Sequence, residues 1–132
     1  MSSSVDLARY RLEKAIEHLR SAQTLFEAGH FRDSISRSYY AIFTAVRALL
    51  AMEQLDSKKH SGVIALFNQH FVKTKVIDTP YGKIVKAAQT YREDADYTDY
   101  VIVTKAEAEI QCVNADSFIK KITQVLKDKY AV

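Results

Sequence analysis

The sequence predicts an all-α protein, an antiparallel up-and-down bundle of four to five helices, on three observations. The 132-residue chain holds only 3 Gly and 1 Pro, where average usage gives about 9 and about 7. Its apolar residues recur at steps of three and four over long stretches, the period of an amphipathic helix. Helix start and stop signals fall at the ends of those stretches, with short connections between them. So little turn chemistry disfavours a β-sandwich or barrel. A chain of this length is expected to be one domain, residues 1–132, whose core needs no metal or disulfide.

The first helix is predicted over 6–28. Ala8, Leu12, Ala15, Ile16, Leu19, Ala22, Leu25 and Phe26 make its apolar stripe, and Gly29 is placed to end it. A second helix, over 31–54, carries Ile35, Tyr39, Ile42, Val46 and Leu49, with Tyr40, Phe43 and Leu50 widening the apolar arc. That width predicts a central helix touching more than one neighbour. A third follows over 60–73 with Val63, Ile64, Leu66, Phe67 and Phe71. Thr79-Pro80 opens the fourth as N-cap and first helical residue, and the apolar pattern carries it to about Asp94. The fifth begins at the capping-box sequence Thr104 to Glu107 and runs to about Lys129. The stretch 97–103 is rich in β-formers but has no evident strand partner, and is read as a loop.

Composition narrows the function. The 19 Lys and Arg against 16 Asp and Glu leave a net charge of +3, too mild by itself to mark a nucleic-acid binder. One cysteine excludes an internal disulfide and fits a reducing compartment. The residues from Met1 to Asp6 lack the basic-then-apolar pattern of a signal peptide. The longest apolar run, Ala48 to Met52, is far short of the ~20 residues of a membrane span. A soluble, cytoplasmic protein without membrane contact is expected.

Most familiar chemistry is missing. Gly82-Lys83 has neither the upstream glycine nor the following Ser or Thr of a P-loop. Cys112 sits mid-helix as a small core residue. His18, His30, His60 and His70 have no zinc-spaced partners, His18 reading as a solvated helix position and His30 as a turn residue. Glu93, Asp94, Asp96 and Asp99 resemble the start of a calcium loop. The loop fails at Asp99, where glycine is needed, and at Lys105, where glutamate is needed. No metal and no cofactor are expected. Lysines at 58, 59, 73, 75, 83 and 86 face Asp78 alone, whereas residues 93–99 carry four acids and no base. The chain therefore has one basic and one acidic region.

Three segments are too polar for ordinary helix faces. Ser36-Arg37-Ser38-Tyr39-Tyr40 lies on the second helix, Lys59-His60-Ser61-Gly62 opens the third, and Tyr91-Arg92 through Asp96-Tyr97 closes the fourth. In an antiparallel bundle the last two approach the first. The helix-opening segment offers free backbone N–H groups to anions. Tyr39 reads as a core aromatic with its hydroxyl bonded to a neighbour. Arg92 reads as either an ion-pair partner of Asp94 or Asp96 or a functional residue.

Together these segments resemble the HEPN family, specifically its short stand-alone prokaryotic members. The resemblance is carried by Ala28-Gly29-His30-Phe31, Ser34 through Phe43, Val46-Arg47-Ala48-Leu49-Leu50, His60 through Ile64, Phe71 through Thr74, and Arg92 through Tyr97. It covers about residues 6–126 and rests on order and spacing rather than on one motif. The resemblance implies a helical bundle that dimerises, often as the partner of a minimal nucleotidyltransferase in a toxin–antitoxin pair. It also implies that active members are metal-independent endoribonucleases, with an arginine followed after four to six residues by a histidine. Here Arg92 holds the arginine position, but Tyr97, Thr98 and Asp99 hold the histidine positions. Tyrosine, with a pKa near 10, is a poor proton shuttle at neutral pH.

The expected protein is therefore a non-catalytic or degenerate HEPN homodimer. It would bind a nucleotidyltransferase partner, and its polar cleft of Ser36, Arg37, Tyr40, His60, Arg92, Asp96 and Tyr97 would take a nucleotide or RNA. Arg37 and Arg92 would meet phosphate, and Tyr40 or Tyr97 would stack on a base. Tyr97 is also a candidate for nucleotidylation by the partner. The alternatives are a degenerate endoribonuclease using Arg92 with Tyr97 or His60, and a purely structural homodimer.

Overall fold

The second helix is central because its apolar arc is too wide for one neighbour to cover. In the computed structural model, which describes residues 3–132, thirteen side chains from Ser34 to Ala51 are buried. Met1 and Ser2, part of the amino-terminal signal reading and of the expected 1–132 domain, lie outside the described residues. The elements are α1 (Ser3–Glu27), α2 (Phe31–Ala51), α3 (His60–Phe67), α4 (Thr79–Tyr97) and α5 (Lys105–Tyr130). No strand occurs among the described residues, and α2 touches each of the other four helices. No helix among them is long and apolar enough to cross a membrane.

Side-chain bonds give the directions. Arg11 of α1 donates to Arg47 O near the end of α2, whereas Ser34 at the start of α2 donates to Ala22 O near the end of α1. The two are antiparallel. At the start of α2, Ile35 packs with Ala95 from the end of α4 and Ala108 from the start of α5. At its far end, Glu53 accepts from Tyr130 at the end of α5. Thus α4 runs antiparallel to α2, and α5 runs parallel to it. The main core joins Leu19, Ile42, Leu49, Phe67, Phe118 and Ile122 from four helices.

Most ends differ from the sequence reading by a turn or less, whereas α3 leaves α-helical geometry at Phe67 rather than at Lys73. α2 stops at Ala51, not Gln54, because Gln54 turns to φ 56° and Leu55 N–H returns to Leu50 O at 3.0 Å. Beyond α3 the chain widens into one π-helical turn over Asn68–Val72, closed by Lys73 N–H on Asn68 O. Phe71 remains in the core at that turn. Asp78, not Thr79, caps α4, which moves Pro80 one place into the first turn.

At its other end, α4 continues through the acidic run to Tyr97. Ala95, the one apolar residue there before Tyr97, is buried, and Arg32 donates to Ala95 O and Val101 O. This side chain satisfies a helix-end carbonyl and ties the 98–104 loop to the start of α2. The Thr104–Glu107 capping box is formed in both directions.

Gly29 ends α1 at φ 84°, a left-handed conformation open to glycine. Gly62 is needed for space instead. A Cβ there would lie 2.1 Å from Ser57 Oγ and 2.8 Å from Ser57 Cβ. Gly62→Ala is therefore expected to lower stability by roughly 1–3 kcal/mol through overpacking. Gly82→Ala, whose Cβ would meet Asn68 Oδ1 at 3.4 Å, is expected to be neutral or stabilising by up to about 1 kcal/mol. Denaturant titration of the two variants checks the contrast. Equal stabilities would show that the Ser57 loop yields freely.

Candidate functional site

The antiparallel pairing of α2 with α4 carries the acidic end of α4 to the Ser36–Tyr40 turn. There, Asp96 bridges two residues. Its Oδ1 accepts from Ser36 Oγ at 2.5 Å, and its Oδ2 accepts from Arg92 Nε at 3.1 Å. Arg92 sits one helical turn before Asp96, so the ion pair needs no tertiary contact. The rest of the guanidinium does. Its Nη2 donates to Tyr40 OH at 2.9 Å and to Tyr97 OH at 3.0 Å.

Three phenol rings complete the cage. The Arg92 Cζ lies 5.3, 5.4 and 5.0 Å from the ring centres of Tyr39, Tyr40 and Tyr97, within cation–π range. Burial alone would lower the guanidinium pKa, but Tyr40, Tyr97, Asp96 and Tyr39 outweigh it and hold the group more firmly protonated than usual. Tyr97, 70 % exposed, is the side of the cage open to solvent.

His60 joins from α3. Its Nδ1 is 2.8 Å from Tyr39 OH, and its ring stacks on Phe43 with centroids 4.1 Å apart. The Tyr39 hydroxyl is buried and bonds only to His60 among the described residues. It therefore donates to Nδ1 and leaves the imidazole proton on Nε2. Burial lowers the His60 pKa, and the charges of Arg92 and Arg47 lower it further. The ring is consequently neutral at pH 7. Burial pushes the Tyr39 phenol up to about 12, against the opposing pull of Arg92.

Of the residues singled out in the sequence, Ser36, Tyr40, Arg92, Asp96 and Tyr97 form one bonded cluster. His60 is linked to it through Tyr39. Arg37 is not bonded to the cluster: its Nη1 lies 3.4 Å from His18 Nδ1 on α1, while the side chain lines one shallow pocket with Ser36, Tyr40 and Asp96. Arg92 pairs with Asp96, and no bond joins it to Asp94. Tyr39 is a core aromatic bonded through its hydroxyl, as expected, yet it also forms the floor of the cage.

His18 departs from its reading as a solvated position. It is half-buried with its ring 6.0 Å from Tyr40. Its place beside the buried stripe of Ala15, Leu19 and Ala22 was the available signal. Arg47 and Asp56, bonded at 3.1 Å, were missed. The signal for Arg47 was the helical spacing Ser36, Tyr40, Phe43, Arg47 along one face of α2. Cys112 is buried beside Ser34 and Ser38. Among the described residues, no three His, Cys, Asp or Glu side chains converge to hold a metal.

This architecture defines a class: a small all-α bundle with a polar site, built on an arginine–aspartate pair, where its second and fourth helices meet. Residues 8–126 match the family model of the HEPN domain, and the chain belongs to the HEPN family. It is 40 % identical over 117 residues to a Methanocaldococcus jannaschii protein bearing the name "Putative toxin MJ0605", covering 89 % of this chain and 87 % of that one. A UPF0332 protein of Thermotoga maritima is 30 % identical over 128 residues, 97 % of each chain. The crystal structure of TT1696 from Thermus thermophilus has the same fold, with a TM-score of 0.78 at 21 % identity over 90 % of this chain and 98 % of that one.

Proposed function

We propose that this chain is a HEPN protein of a toxin–antitoxin-type system that binds a nucleotide or RNA at the Arg92 cage. In this reading residues 1–132 act as one cytoplasmic domain, homodimeric and partnered by a minimal nucleotidyltransferase. One observation carries the proposal. The arginine of the family's motif is held charged and oriented by Asp96, Tyr40 and Tyr97, with a tyrosine where a catalytic histidine would stand. Such a site suits phosphate binding and base stacking, and the motif itself carries no histidine to move a proton. The toxin name of the M. jannaschii relative supports the wider setting.

The test is co-purification with proteins from neighbouring genes, followed by nucleotide and RNA binding with the native and Arg92→Ala chains. Retention of a nucleotidyltransferase and Arg92-dependent binding are expected. Binding that ignores Arg92 would sink the reading. Exposed Tyr97, Tyr100, Ile102, Ile110 and Val113, on the 98–104 loop and its flanking helices, are the apolar surface offered for dimerisation. Light scattering should report a dimer that Ile110→Glu weakens. A native monomer would leave the homodimer without support.

Tyr97 is also the proposed acceptor of a nucleotide from the partner. Its hydroxyl would form a bond to the α-phosphorus of ATP, releasing pyrophosphate and its own proton. Mass spectrometry after incubation with partner and ATP tests this step, and an unmodified Tyr97 counts against it.

A specific observation favours a second reading, a weak endoribonuclease. His60 is neutral near pH 7 and lies beside the cage through Tyr39, so it has the protonation state of a general base. That reading predicts RNA cleavage without added metal, lost in both His60→Asn and Arg92→Ala.

A further inference from the structure

A second polar cleft of about 550 Å³ lies along α2 beyond His60, lined by Phe43, Arg47, Asp56, Ser57, Lys58 and His60. Its charge balance is positive. Asp56 faces two guanidiniums, Arg47 at 3.1 Å and Arg11 at 3.7 Å, and Lys58 adds a third cation at the exposed rim. The Nε of Arg47 is buried without a hydrogen-bond partner among the described residues. Such a donor costs free energy unless something meets it.

The backbone adds to this side-chain arrangement. The first turn of α3 has no side-chain cap and no acidic residue, so its N–H groups present partial positive charge at the same place. Ser57 instead accepts from Lys59 N–H, one residue before the helix. His60 contributes a hydrogen-bond donor, because Tyr39 fixes its proton on Nε2. Burial first, and then Arg92 and Arg47, keep the ring from acquiring its own charge.

We propose that this cleft is a phosphate-binding subsite that takes a free or terminal phosphate group. Arg47 and Lys58 supply its charge partners, and His60 Nε2–H supplies a neutral donor. Its walls are distinct from the Arg92 cage, with Tyr39 and His60 as the link, so it stands whether or not the cage binds RNA. Two sources share the chemistry: free inorganic phosphate and the terminal phosphate of a nucleotide.

The experiment follows the His60 imidazole resonances of the full chain by NMR during titration with inorganic phosphate, AMP or adenosine. Phosphate and AMP are expected to shift them saturably, and adenosine is not. Lys58→Ala, an exposed substitution that should leave the fold intact, is expected to weaken phosphate binding about threefold. Arg47→Gln is expected to weaken it about tenfold. Thermal melts keep folding separate from binding, since Arg47→Gln also breaks the Asp56 pair. AMP binding tighter than phosphate assigns the site to a nucleotide, and equal binding assigns it to free phosphate. No saturable shift would overturn the proposal. So would phosphate binding that survives Lys58→Ala and Arg47→Gln unchanged but disappears in Arg92→Ala, since the anion would then occupy the tyrosine cage.

Discussion

Arg92→Ala is expected to lower stability by about 2 kcal/mol and to weaken nucleotide or RNA binding by at least about tenfold. The stability effect comes from three places at once. The variant loses a charge-assisted pair with Asp96 and hydrogen bonds to Tyr40 and Tyr97. It also loses a cation set against three rings, worth about 0.5–1 kcal/mol at a partly exposed site. Asp96 is left with Ser36 alone. Arg92→Lys should recover the charge but little else, because an ammonium cannot reach a carboxylate and two phenols in fixed fork geometry. Denaturant titration and fluorescence anisotropy measure the two effects. If Arg92→Ala keeps both native stability and native affinity, the cage is neither a structural nor a binding element.

Tyr39→Phe should reverse its effect with pH. At pH 7 the variant loses the bond to His60 and should be less stable by about 1 kcal/mol. The native phenol is raised from 10.0 to about 12, mainly by burial, so the folded protein resists its ionisation more than the unfolded chain does. The associated stability is fully present below pH 10 and declines as pH rises through 12. Its size is about 3 kcal/mol. Phenylalanine has no such dependence, so the two stability curves are expected to cross between pH 10 and 12. Every other ionisable group is common to the two proteins and drops out of the difference. Parallel curves across that range would mean that the Tyr39 hydroxyl reaches water in the folded state.

Both predictions turn on contacts whose parts were visible in the chain while their assembly was not. Arg92 and Asp96 were legible as a pair because four residues along a helix fix their separation. Ser36, Tyr40 and Tyr97 were legible as too polar for their positions. That Tyr97 turns back onto Arg92 depends on α4 running one turn further than its apolar pattern, and this extension is held by Ala95 in the core and by Arg32 from another helix. No local propensity reports such a contact. His60 was visible as a helix-opening histidine, but its role follows from Tyr39, which the apolar period marked only as core.

The sequence by itself determined the five helices, the centrality of α2, the HEPN resemblance and most members of the Arg92 cluster. These are properties of spacing along one chain: period, caps, and residue types at fixed steps. Only the tertiary structure decided that Arg37 meets His18 rather than bonding to the cluster, that Tyr39 couples His60 to the cage, and that Arg47, Asp56 and Lys58 line a second cleft. Those outcomes depend on the rotation of each helix about its axis. That rotation is set by the packing of the whole core, with Gly62 and Arg32 fixing two of the loops, rather than by any stretch of sequence.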